Sequence, residues 1–397
     1  MKTYDAAVIG SGPAGLAAAH VLCSAGMNVA LIDRCEFPGE KLCGGLLSGR
    51  TRSVFEDVFG GPWGPGVECT AAGVRFIHKG RELNSVDTPY PVYLASRKEF
   101  DAHLFGLTVK KGPDILLGRA VASVDTRETR VLFRNGDPIR ADYIIGADGV
   151  TSKVARSLFQ ERFRKHAYGL CFQAELPRDS RDGERTVPEI HLGYVRWGYA
   201  WVFPKGKTLS VGLGGLLRKN GDMRSLFLRF HEQAAGTQPS SVRSAYIPAG
   251  NFRKRPGKGN VLLTGDAAGL VEPITGEGIA YALLSGKYAA QSVLQAARAG
   301  DPGRAYGFYL PRYRGIVQEF SIAKLLRHLM SSRLAEPMFI RELPNAGGII
   351  EQYMALIAGQ TTHAHLARLV LSKIARDILT ILTPGRRQCL RTPYPRR

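Results

Sequence analysis

The chain lacks the features of a small disulfide or metal protein. It has only six cysteines in 397 residues, at positions 23, 35, 43, 69, 171 and 389, with no C-x-x-C pair and no His/Cys cluster at metal spacing. That argues against zinc and iron–sulfur sites, so no metal is expected, and the cysteines read as reduced thiols of a cytosolic protein. No uninterrupted apolar run reaches the length that spans a bilayer, so any membrane contact is expected to be peripheral. A glycine-rich turn begins as early as Gly10, which leaves no space upstream for a secretory signal, and a cytoplasmic location is expected. Internal repeats and low-complexity blocks are absent. Acids are scarce against bases: 34 Asp+Glu face 54 Lys+Arg, for a formal charge of +20. Such a balance suits nucleic acid, an anionic membrane surface or acidic partners without choosing among them. The length exceeds what one core usually serves, so at least two domains are expected.

What the chain does have is concentrated in Tyr4 to Asp33. Ala6 to Ile9 is a short apolar run of the kind buried in a parallel sheet, and it feeds directly into Gly10-Ser11-Gly12-Pro13-Ala14-Gly15. In this G-x-G-x-x-G pattern Gly10 permits the tight turn, Gly12 lets backbone approach a pyrophosphate, and Gly15 lets a helix pack closely on the strand. The helix start then offers free N–H groups and partial positive charge to phosphates. Leu16 to Ala25 supplies the helix, Gly26 ends it, and Val29 to Ile32 forms a second strand closing on Asp33, an acid suited to a ribose hydroxyl. This strand, helix, strand and acid context makes a dinucleotide site the specific reading.

Two further strand ends repeat the theme. Tyr143-Ile144-Ile145 runs into Gly146-Ala147-Asp148-Gly149, and Val261-Leu262-Leu263 into Gly265-Asp266, followed by Gly276 and Gly278 at the start of a helix expected to run through Ala290. The loop from Arg34 to Ser48 holds Cys43-Gly44-Gly45, whose glycines would let backbone lie flat against a planar ligand beside a thiol. Ser96 is the expected N-cap of a helix with Glu99 completing a capping box, and Arg97 in its first turn is a candidate to face a ligand. Strands are expected at 74–77, 92–94, 115–117, 121–124, 130–133 and 139–145.

From Tyr168 to Pro248 residues alternate, with many aromatics and glycines, as in an antiparallel sheet. At its centre Tyr199, Trp201 and Phe203 share one strand face. The paired glycines Gly212 and Gly214 imply a bulge or a close backbone approach. Helices are expected at 313–330, about 349–357 and 363–382, the last of them amphipathic and followed by a basic tail carrying Arg386, Arg387, Arg391, Arg396 and Arg397.

These residues resemble the hydroxylase-like FAD-dependent oxidoreductases and, within them, the geranylgeranyl reductase family. The broad resemblance rests on the glycine motif with Asp33, the Arg97 helix start, Asp148-Gly149, and Gly265-Asp266 with Pro273 and Gly276 to Gly278. The narrower one rests on Lys41-x-Cys43-Gly44-Gly45 and on Tyr199-x-Trp201-x-Phe203-Pro204 with Gly212-x-Gly214. The resemblance implies an α/β fold: a Rossmann-like FAD-binding domain (1–66, 96–165, 255–300), an inserted antiparallel-sheet substrate domain (67–95, 166–254) and a helical C-terminal region (301–397). It implies noncovalent FAD held by Gly10, Gly12, Ala14, Gly15, Asp33, Arg34, Cys43, Gly44, Arg97, Val121, Asp266, Gly278 and Ile279. Asp33 would hold the adenosine ribose, Ala14 and Gly15 the pyrophosphate, Arg97 also phosphates, Asp266 the ribityl chain, and Gly278 with Ile279 the isoalloxazine edge. Val121 would lie by the adenine.

The implied activity is saturation of isoprenoid C=C bonds, with Cys43 as candidate proton donor or orienter and Tyr199, Trp201 and Phe203 as substrate wall. No second G-x-G-x-x-G supports a docked nicotinamide, so NAD(P)H binding transiently and a small redox protein both stand as reductants. A flavin monooxygenase or halogenase shares the scaffold, but the G-x-W-x-x-I partner of halogenases is missing. A quinone-reducing electron-transfer flavoprotein would carry an iron–sulfur cysteine cluster that this chain lacks. Nucleic acid ranks last among partners because it rests on charge alone.

Overall fold

Apolar runs that need no polar alternation become the central parallel strands, buried on both faces. The computed structural model describes residues 1–37, 39, 41–178 and 185–382. The chain enters through β1 (Thr3–Ile9), crosses in α1 (Pro13–Ser24) and returns as β2 (Val29–Ile32). A short β3 (Leu46–Leu47) and α2 (Gly49–Phe59) precede a long hairpin, β4 (Val67–His78) and β5 (Arg81–Ala95). Next come α3 (Arg97–Val109), β6 (Asp114–Leu116), β7 (Val121–Asp125), β8 (Arg130–Phe133), β9 (Ile139–Gly146) and α4 (Lys153–Phe159). The second half opens with β10 (Gly169–Pro177), β11 (Glu189–Leu192), β12 (Gly198–Pro204), β13 (Thr208–Leu216), α5 (Met223–Ala235) and β14 (Arg243–Ile247). It continues with β15 (Gly257–Lys258) and β16 (Val261–Leu263), then α6 (Ile279–Arg298), α7 (Ala305–Ser331), α8 (Glu336–Glu342), α9 (Gly347–Ile357) and α10 (His363–Leu382).

Two sheets result. One runs β15-β16-β9-β1-β2-β6, parallel from β16 to β6, with β7 and β8 joined antiparallel through β9. The other runs β14-β10-β13-β12-β11-β4-β5-β3. It is antiparallel except where β11 meets β4 in parallel. That exception follows from connectivity: β4 and β11 come from distant segments, so no short hairpin constrains their direction. This arrangement is the expected α/β flavoprotein fold with a helical C-terminal region.

Three helical features depart from the sequence expectation. Inside the stretch read as sheet, α5 forms because Met223, Phe227 and Phe230 recur at helical spacing and pack beneath β10 and β13. Its N-terminus is capped by Asp222, which accepts from Arg224 and Ser225 N–H at 3.1 Å each, and Gly236 ends it with φ +71°. Helix α7 begins at Ala305, well before Tyr313, and passes through Pro311. Buried Ala305, Tyr309, Tyr313, Ile316 and Phe320 form one continuous stripe, so core packing outweighs the lost backbone bond. Helix α6 likewise runs on past Ala290 to Arg298, because Val293 and Ala296 keep its face in the core. The basic tail with its five arginines, together with Pro38 and Glu40 of the 34–48 loop, lies outside the described residues.

Candidate active site

Three strand ends of the parallel sheet converge on the start of α1. Gly10 turns with φ +109°, and a Cβ there would lie 2.3 Å from Ala147 O. A Cβ on Gly15 would lie 1.8 Å from Gly10 O, so α1 sits as close to the turn as glycine allows. On the next strand Gly265, with φ +54°, approaches Ala14, where an added Cβ would be 3.0 Å from that residue's own Cβ. Helix α6 closes the far side: a Cβ on Gly286 would stand 2.1 Å from Ala14 O. By contrast a Cβ on Gly12 would meet nothing nearer than Lys41 Nζ at 3.9 Å, and the N-cap of α1 carries no side-chain hydrogen bond. A tight cradle with open space at Gly12 and uncapped helix N–H groups fits a dinucleotide pyrophosphate.

Around this cradle the expected cofactor residues fall as follows. Asp33 Oδ2 accepts from Ser11 N at 2.7 Å and Ser11 Oγ at 2.8 Å, while Oδ1 accepts from Cys35 N at 3.0 Å. The acid thus fixes the glycine turn to the end of β2. Arg34 beside it is exposed. Val121 opens β7 two residues after Arg119, whose N–H donates to Asp33 O at 2.9 Å, so that strand start lies beside the same acid. Asp148 accepts from Lys153 N at 2.6 Å at the start of α4, whose N-cap is Ser152, and burial pushes the Asp148 carboxyl above the usual range. A Cβ on Gly278 would be 3.8 Å from Asp266 Oδ1, which brings together two residues expected at adjoining parts of one cofactor. Ile279 begins α6 behind them.

The aromatic strand closes the other side. Tyr199, Trp201 and Phe203 do share one face of β12, with successive ring centroids 6.2 and 6.1 Å apart. They form a separate cluster with Leu94 and Cys171. Gly212 is required opposite Trp201, because a Cβ there would lie 2.1 Å from Trp201 Cζ2; the glycines therefore serve close approach, and β12 and β13 pair without a bulge. Cys43-Gly44-Gly45 seats on this wall: a Cβ on Gly44 would stand 2.8 Å from Phe203 Cε2 and 3.1 Å from Trp201 Nε1. Gly45, at φ +82°, is pinned to β5 through Ala95 N–H, which donates to Gly45 O at 2.8 Å.

Arg97 reaches the same loop from α3. It is buried and paired with Asp101, Nη2 to Oδ2 at 2.8 Å. Burial works against its charge, yet the Asp101 carboxylate and the hydrogen-bonded Cys43 thiol hold the guanidinium above its ordinary range. Arg97 therefore stands beside the thiol.

Tyr199 links the two halves. Its hydroxyl donates to Thr275 O, in the loop that carries Gly276 and Gly278. That loop holds two carboxylates that the sequence reading passed over, Glu272 buried and Glu277 half-buried. Glu277 accepts from Ser48 Oγ, and burial raises its carboxyl to about 7. Glu272 accepts from Thr275 Oγ1 at 2.7 Å and meets His363 Nε2 at 3.0 Å. The flanking glycines mark the loop in the sequence, but no local pattern encodes the long-range partners of these two acids.

The chain is similar to several known proteins. A family model described as FAD binding domain matches residues 3–187. The menaquinone reductase of Mycobacterium tuberculosis is 31% identical over 396 residues, covering 94% of this chain and 92% of its own. Digeranylgeranylglycerophospholipid reductase 2 of Methanothermobacter thermautotrophicus is 32% identical, covering 78% and 82%. The crystal structure of a geranylgeranyl bacteriochlorophyll reductase-like protein from Thermoplasma acidophilum superposes with a TM-score of 0.78 at 22% identity, over 94% of this chain and 99% of that one. The chain is an FAD-dependent oxidoreductase and belongs to the geranylgeranyl reductase family.

Proposed function

We propose that this enzyme saturates C=C bonds of an isoprenoid chain carried on a lipid or quinone-like molecule. The observation that carries the reading is the seating of Gly44 on Phe203 and Trp201, which lays the backbone next to Cys43 on an apolar wall while Lys41 of the same loop comes near Gly12 of the cofactor cradle. Relatives named as reductases of a geranylgeranyl lipid and of menaquinone support the substrate class. A monooxygenase or halogenase would share the scaffold, and the aromatic-Pro strand is also similar to the W-x-W-x-I-P element of halogenases, but the missing G-x-W-x-x-I partner ranks that reading second.

FAD, when bound, supplies the hydride. The chain does the rest. Gly10, Gly12, Ala14 and Gly15 would receive the pyrophosphate, with Asp33 and Arg34 at the adenosine side and Val121 by the adenine. Asp266, Gly278 and Ile279 would hold the ribityl and ring end, with Cys43 and Gly44 beside it. Arg97 acts on Cys43 as well as on any phosphate. An isolated alkene accepts hydride poorly, so a proton must reach one carbon as hydride reaches the other, and Cys43 is the group we propose to give or orient it. Tyr199, Trp201 and Phe203 hold the chain dry, which assigns the second sheet to substrate and the parallel sheet to cofactor. The reductant is a transient nicotinamide or a small redox protein.

An anionic bilayer is the proposed partner surface, as expected for an isoprenoid lipid. No helix among the described residues is long and apolar enough to cross a membrane. The charge of +20 and the exposed Leu325, Leu334, Met338 and Leu371 of the C-terminal helical region support peripheral docking. Anaerobic reduction of the enzyme with a prenylated lipid, followed by mass spectrometry of that lipid, tests the activity.

A further inference from the structure

A buried line of titratable groups runs from the solvent side of α7 to the loop between β16 and α6, and the chemistry above does not use it. His363, the first residue of α10, is 1% exposed and bridges two carboxylates. Its Nε2 lies 3.0 Å from Glu272 Oε1 and its Nδ1 lies 3.0 Å from Glu319 Oε2. Glu272 is 2% exposed, whereas the Glu319 side chain is 36% exposed, so the line begins in water and ends in the interior. Its inner end is the loop of Thr275, Gly276 and Gly278, which Glu272 organises by accepting from Ile274 N at 2.8 Å and Thr275 Oγ1 at 2.7 Å. Burial alone would strip the imidazole of charge, yet its two carboxylate partners hold it above the ordinary histidine range.

We propose that Glu319, His363 and Glu272 conduct protons from solvent to the loop that borders the flavin. The proposal rests on the assignment of that loop to the ring end of FAD. Reduction of FAD by two electrons and saturation of an alkene by hydride plus proton both consume protons, and an apolar site has no bulk water to supply them. The transfer balances without electrons: the imidazolium gives its Nε2 proton to Glu272 Oε1, which leaves a neutral ring protonated at Nδ1 alone, and the ring then turns over so that the bare nitrogen takes a proton from the Glu319 carboxyl, which refills from water. The groups facing the line are Arg327 from α7, Arg50 from α2, Tyr281 from α6, Tyr353 from α9, Tyr199 from β12 and Glu277 from the loop itself. Burial raises all three phenols, so they stay neutral, and Glu277 is the one facing group able to share the proton near neutrality.

A purely structural brace at the start of α10 would use the same bonds, and one substitution separates the two roles. Glu319 Oε2 accepts both His363 Nδ1 and the His363 backbone N–H, the latter at 2.8 Å. Glu319→Gln keeps an oxygen for both bonds but carries no acid proton. The experiment photoreduces the FAD-loaded enzyme in weak buffer and follows proton uptake with a pH-indicator dye. Glu319→Gln is expected to slow uptake ~10-fold or more with FAD content and Tm unchanged, and Glu319→Asp to recover part of the rate. Unaltered uptake in Glu319→Gln overturns the proposal. Imidazole nitrogen NMR of the unmodified enzyme supplies an independent check: His363 should stay doubly protonated above the range of free histidine, and titration below that range overturns the relay. Photoreduction needs no prenyl substrate, so failure to hydrogenate isoprenoids would refute the substrate assignment and leave this test intact.

Discussion

Trp201 occupies the space a side chain on Gly212 would need: a Cβ there would stand 2.1 Å from Trp201 Cζ2. The indole lies directly on the backbone of the neighbouring strand, and its Nε1 donates to Ser210 Oγ at 3.3 Å. Gly212→Ala is therefore expected to destabilise the enzyme by about 1–3 kcal/mol through overpacking. In a Trp201→Ala background the same change should cost far less, giving a coupling of about 0.5–3 kcal/mol in a urea double-mutant cycle. Additive effects would show that the ring and the glycine do not compete for this space.

The Cys43 assignment separates a catalytic thiol from a loop filler. Cys43→Ala and Cys43→Ser are expected to retain FAD, since the cradle glycines do not depend on the thiol, while alkene saturation falls ~100-fold to ~10,000-fold. Single-turnover rates on a prenylated lipid, with flavin content measured in parallel, check this. Loss of FAD would mark Cys43 as part of the cofactor loop alone, and unchanged turnover would remove it from the chemistry.

Much of this site was legible because its residues obey strong local rules. Gly10 and Gly15 mark positions where backbone approaches too closely for any side chain, and Gly265 one where a positive φ favours glycine; such positions announce themselves as Gly-x-Gly and Gly-Asp turns at the ends of apolar strands. The shared face of Tyr199, Trp201 and Phe203 followed from the two-residue period of a strand. What stayed hidden was long-range. Arg97 beside Cys43, and His363 between Glu272 and Glu319, join segments far apart in sequence, and no periodicity encodes such a meeting. Helix α5 was hidden for another reason: its apolar spacing was present, but the surrounding glycines and aromatics favoured a strand reading.

Glu277 gives the protein a distinctive pH response. Burial lifts its carboxyl from an ordinary 4.5 to about 7, against the opposing bond from Ser48. Between those two values the folded chain keeps a proton that the unfolded chain has released, so unfolding free energy falls as pH rises through the window. Glu277→Gln cannot ionise and should lose this slope, gaining on the order of 3 kcal/mol on the parent between pH ~4.5 and pH ~8. Urea unfolding of both FAD-loaded proteins across that range decides it; equal slopes would contradict the assignment.

Peripheral docking predicts cosedimentation with anionic liposomes that weakens as salt rises, each basic residue at the surface contributing about 1 kcal/mol. Deleting residues 383–397, which include five arginines, should weaken binding without changing FAD content. Equal binding by the folded truncation would rule out a contribution from the tail.

Mass spectrometry of a geranylgeranylated lipid after anaerobic incubation with the reduced enzyme tests the central claim most directly. Saturation predicts product masses rising in two-dalton increments, one for each double bond reduced, with flavin reoxidised in step and with Trp201→Ala impairing long chains more than flavin reduction. Reoxidation only on admission of oxygen, with an oxygenated product or an unchanged lipid, would contradict a prenyl reductase and leave the FAD fold standing without its proposed chemistry.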